Sequence, residues 1–86
     1  MITPKLNING SSAQDLIDPR QRAWKQIDDL VDTLQQITPN GRDYPGNAVA
    51  CTADREEHYD RIAALRALKA ELLREAVAIK EQELEP

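Results

Sequence analysis

The sequence predicts an all-α fold: an antiparallel two-helix hairpin with a long loop, assembling into an oligomeric helical bundle. Three observations carry this. Two long runs repeat apolar residues every three or four positions, as one face of an α-helix requires. A segment rich in Pro, Gly and Asn separates them. The 86 residues include no Phe, one Trp and two Tyr, so a core must come from Leu, Ile, Val and Ala, which favours helices over a β-sandwich.

Residues 1–10 contain one alternating patch, Leu6-Asn7-Ile8-Asn9, with no second strand to pair with, and read as an extended N-terminal arm. The helical hairpin is expected over 11–86. Its first helix, about 12–37, opens at Ser11-Ser12, where a Ser with Asp15 three positions on resembles a capping box. Leu16, Ala23, Trp24, Ile27, Leu30, Val31, Leu34 and Ile37 then recur at helical spacing. Pro19 lacks the N–H that a helix interior needs. Either the helix kinks there, or it starts there with Asp18 as cap and Gln21 as its reciprocal partner.

Thr38-Pro39-Asn40-Gly41 ends the run and Pro45-Gly46 repeats the punctuation, so residues 38–51 read as a loop. A second helix, about 52–83, starts near Thr52 or Asp54 and carries Ile62, Leu65, Leu68, Leu72, Ala76 and Ile79 as its stripe. The acidic end, Glu81 to Glu85, opposes the helix dipole and is expected to fray. One seam between two helices is too small a core, so a homo-oligomer is expected, most simply a dimeric four-helix bundle. Leu73, Val77, Trp24 and Val31, which lie off the two stripes, would then pack against another chain.

Composition bounds the partners. Eleven Lys and Arg against fifteen Asp and Glu leave a net charge of −4, which argues against general nucleic-acid binding and against anionic membrane surfaces. No apolar run is long enough for a membrane span. The single Cys51 and the absence of a signal-like opening suggest a reducing, cytoplasmic setting.

The segment Asn40-Gly41-Arg42-Asp43-Tyr44 brings together a guanidinium, a phenol and turn residues whose amides can point outward. These are the parts of a small anion or nucleotide site: Arg42 for phosphate, Tyr44 for stacking, Asn40 and Gly41 for a nest of amides. Arg55, His58 and Arg61 follow at steps of three and could complete a cationic cluster. Equally, Arg42 and Asp43 could pair with helix residues and Tyr44 could plug the open end of the hairpin. Arg55 and Arg61 could make ordinary helix pairs, and His58 could be a structural histidine. Asp54 and His58 fall short of a metal ligand set, and no cofactor is implied. Ser11 and Ser12 have no nearby His, and Cys51 has no local base, so the chain reads as a non-enzyme.

The order Asn9-Gly10-Ser11, Asp15-Leu16, Pro39-Asn40-Gly41-Arg42-Asp43-Tyr44, then Glu57-His58 with Arg61, resembles a group of short proteins of tailed bacteriophages and prophages. The chain departs from them in having Pro45-Gly46 directly after Tyr44, where they carry a second Tyr and a longer Pro-Gln-Gly segment. The resemblance implies fold and phage origin, not an activity. In architecture alone the chain also resembles the oligomeric helical hairpins with which phages sequester nucleotide immune signals. The expectation is therefore a non-enzymatic phage oligomer in the host bacterial cytoplasm that binds a small anionic, nucleotide-like ligand through Arg42, Tyr44, His58, Arg61, Arg55, Asn40 and Gly41. The alternative is a helical module that docks on a host or phage protein.

Overall fold

The computed structural model describes residues 12–84. The expected arm over 1–10 and the last two residues lie outside that range. Helix α1 spans Ala13–Gln35, a single 3-10 turn covers Gly41–Asp43, and helix α2 spans Ala48–Leu84. Among the described residues the fold is all-helical, an elongated hairpin measuring 64 × 19 × 16 Å, about two helices across.

Local chemistry explains where each helix starts. Ser12 Oγ accepts the Asp15 N–H while the Asp15 carboxylate accepts the Ser12 N–H, both at 3.2 Å, a complete capping box. That settles the choice left open at Pro19. The helix begins before it and runs through it, so Asp18 is an interior residue and not a cap. Pro19 leaves the Asp15 carbonyl without its usual donor. In the same weakened turn Arg20 bonds the Leu16 carbonyl at 2.6 Å.

Helix α2 starts four residues earlier than expected. Asn47 Oδ1 accepts the Ala50 N–H at 3.1 Å, so Asn47 caps the helix, and Cys51 belongs to its first turn instead of to a loop. The connection is residues 36–47, shorter than the expected 38–51. Within it the Asn47 N–H donates to the Tyr44 carbonyl across Pro45-Gly46, with Gly46 at φ 71°. Proline followed by a positive-φ glycine is the pattern of a type II turn.

The seam follows a strict heptad. On α2 its positions are Cys51, Arg55, His58, Ile62, Leu65, Lys69, Leu72, Ala76 and Ile79, in alternating steps of four and three, all buried or half-buried. On α1 they are Ala13, Ile17, Arg20, Trp24, Ile27, Val31 and Leu34. Ile27, Val31 and Ile62 form the centre, with Leu34, Leu65 and Leu72 against them. This corrects several assignments. Val31 is core and Trp24 is half-buried on the seam, whereas Leu30 and Leu68, each 45% exposed, and Ile37, 62% exposed, lie beside it. Leu73 and Val77 are exposed, as their place off the stripe suggested.

Every polar side chain in the seam has a partner across it. Arg20 pairs with Glu75 at 2.7 Å, and Lys69 pairs with Asp28 at 2.7 Å. Arg55 donates to the Pro39 carbonyl, and His58 meets Thr38. These bonds descend one helix as they climb the other, which fixes the antiparallel register.

Candidate functional site

The connection is held to the first turns of α2 at three points. Tyr44 Oη donates to Asp54 Oδ2 at 2.6 Å. The Arg55 guanidinium donates to the Pro39 carbonyl from Nε at 3.3 Å and from Nη2 at 3.1 Å, and Nη2 also lies 3.7 Å from Cys51 Sγ. Thr38 Oγ1 lies 3.3 Å from His58 Nε2 and 2.9 Å from the Gln35 carbonyl. A carbonyl only accepts, so the single hydroxyl proton goes to Gln35 and His58 Nε2 is the donor to Thr38.

The expected site residues therefore divide into two groups. Tyr44, Arg55 and His58 clamp the connection to α2, Tyr44 at the surface and His58 in the seam. His58 is only 2% exposed and faces the seam. The Tyr44 phenol is pushed up from 10.0 to about 12, first by its hydrogen bond to the Asp54 carboxylate, then by desolvation and the Asp54 charge. Arg42 and Arg61 are exposed, and neither side chain has a hydrogen bond or ion pair among the described residues.

The outward nest of amides does not form as expected. The Arg42 N–H donates to Asn40 Oδ1, the Asp43 N–H to the Asn40 carbonyl and the Tyr44 N–H to the Gly41 carbonyl. Asn40 and Gly41 thus build the 3-10 turn, and three of its amides are already satisfied. Among the described residues no cluster of His, Cys, Asp and Glu could hold a metal, and no helix is long and apolar enough to cross a membrane.

The more open feature lies along the helices. On one side of the seam Ala23, Gln26, Ile27, Leu30, Leu65, Leu68 and Leu72 line a groove of about 360 Å³. On the other side the seam is bordered by Asp28, Asp32, Gln35, Arg66 and Lys69, and the Lys69–Asp28 pair spans it. Over this middle stretch the two flanks of the seam thus have opposite chemistry. Leu30, Leu65, Leu68 and Leu72 all read as core from spacing alone. Counting a strict heptad from Cys51 would have set Leu68 outside it.

Compared with family models, curated proteins and solved structures, the chain matches none.

Proposed function

We propose that the chain is a helical protein–protein interaction module that docks through the apolar flank of its hairpin. The observation that carries this reading is the groove between Ala23, Leu30, Leu65, Leu68 and Leu72, left open beside a seam whose other flank is charged. Contiguous exposed apolar surface on a small protein marks an interaction site. The region around the connection supports the reading differently, because Tyr44 of the connection and Arg55 and His58 of α2 are engaged in holding the hairpin together. A photo-reactive aromatic residue tests it. Placed at Leu30 it should give a discrete protein adduct, and placed at Asp32 on the charged flank it should give none. Equal labelling at both positions, or none at Leu30, overturns the reading.

A second reading rests on Arg42 and Arg61, two exposed guanidiniums without partners among the described residues. Together with the resemblance to phage proteins they support an oligomer that sequesters a small anionic, nucleotide-derived immune signal in the host cytoplasm. Calorimetric titration with cyclic and ADP-ribose-type nucleotides should then show binding that weakens at least tenfold in Arg42→Ala and in Arg61→Ala. Absence of heat, or binding unchanged in both variants, removes this reading.

A further inference from the structure

We infer that the surface covering the apolar flank is a second copy of this chain, related by a two-fold axis that crosses α2 between Leu65 and Leu68. The inference rests on the docking reading above and names its partner.

Charge is the first argument. The row of α1 beside the groove, Pro19, Ala23, Gln26, Leu30 and Thr33, holds no charged residue, and Arg22 and Asp29 border it on the side away from α2. The other side of the same helix carries Lys25, Asp28 and Asp32. In a chain with 30% charged residues, so long a neutral strip has the composition of a buried interface core. The core itself supplies the second argument. Among the described residues, three of the seven buried hydrophobic ones are as small as Ala13, Cys51 and Ala76, and the molecule is only two helices across, so each helix is covered on one side. Laying a like hairpin on the neutral flank gives each helix a second covered side, the smallest closed helical bundle.

The third argument selects a second copy over an unrelated protein. A two-fold interface must be self-complementary, since each patch meets itself. Among the exposed charges on α2 beside Leu65 and Leu68 are Arg61 toward the start of the helix, with Glu57 one turn before it, and Glu71 toward its end, and none of the three has a partner among the described residues. An axis between the two leucines lays α2 antiparallel to its copy. Each Arg61 then lies opposite the partner's Glu71, while the leucines meet at the centre. Opposite charges spaced symmetrically about an apolar centre are what such an axis requires.

The test is sedimentation velocity on the full chain at micromolar concentration, with helicity followed by circular dichroism. Wild type should sediment as a dimer. Leu68→Glu should weaken self-association at least a hundredfold. Arg61→Glu and Glu71→Arg change only surface charge, so they keep the proposal testable if Leu68→Glu fails to fold. Each alone should weaken the dimer at least tenfold, and the double variant should return to within about threefold of wild type, because the exchange restores opposite charges. A helical wild type that stays monomeric at 100-fold higher concentration overturns the inference, as does a dimer unchanged by each of the three single variants. In either case the Leu30 photo-adduct separates the two claims: an adduct with a different protein leaves the docking reading standing with another occupant, and no adduct removes both.

Discussion

Tyr44 Oη and Asp54 Oδ2, ten positions apart and joined at 2.6 Å, tie the turn between the helices to the second turn of α2. This bond needs the phenol protonated, and it holds the Tyr44 pKa near 12 in the folded chain, against about 10 for a free tyrosine. A raised folded-state pKa contributes stability that is complete below about pH 10 and is lost as pH rises through about 12. Tyrosinate absorbance should show a step near pH 12 that vanishes in Tyr44→Phe. Persistence of that step in the variant would assign it elsewhere.

The two glycines of the connection should respond oppositely to alanine. Gly46 has φ 71°, where an L side chain costs about 1–2 kcal/mol, and Gly46→Ala should lower the denaturation midpoint accordingly at fixed chain concentration. Gly41 has a negative φ, and a Cβ there would meet nothing within 4 Å. Gly41→Ala should leave stability unchanged or raise it by up to about 1 kcal/mol.

His58 depends on one hydroxyl. Thr38→Val removes the acceptor of the His58 Nε2 proton inside the seam, and an unsatisfied buried donor costs about 1–3 kcal/mol. Thr38→Ser keeps the hydroxyl and should recover most of that loss. Equal destabilisation by both substitutions, measured by urea unfolding, would show that the Thr38 methyl matters and the bond does not.

The two ion pairs across the seam should differ in worth. Arg20 and Glu75 are 20% and 12% exposed, so Arg20→Ala leaves a carboxylate poorly hydrated, at a cost of about 1–3 kcal/mol. Lys69 and Asp28 are 31% and 51% exposed, and Asp28→Asn should cost under about 1 kcal/mol, with a loss that shrinks in high salt. Thermal midpoints of both variants in low and high salt check the order.

Much of this fold is legible in the chain read alone, because the signals are local. Ser12 with Asp15 announces a helix start within four residues, and the apolar repeats need only one helix to be seen. Asn47 was harder to read, since an Asn after Pro45-Gly46 suits a turn as well as a cap. Three- and four-residue spacing by itself did not say which apolar residues face inward. Leu30, Leu68 and Ile37 satisfy three- and four-residue spacing as well as Ile27, Ile62 and Val31 do, yet only the second set is buried. Spacing is a property of one helix, whereas burial depends on where the other helix lies. That placement is set by bonds between distant residues, such as Arg20 to Glu75 across 55 positions, and no local pattern encodes them. The same holds for the connection. Arg, Tyr and His side chains in and just after the turn announce polar chemistry, but only the return of α2 beside α1 engages Tyr44, Arg55 and His58 with Asp54, Pro39 and Thr38 and leaves Arg42 and Arg61 facing solvent.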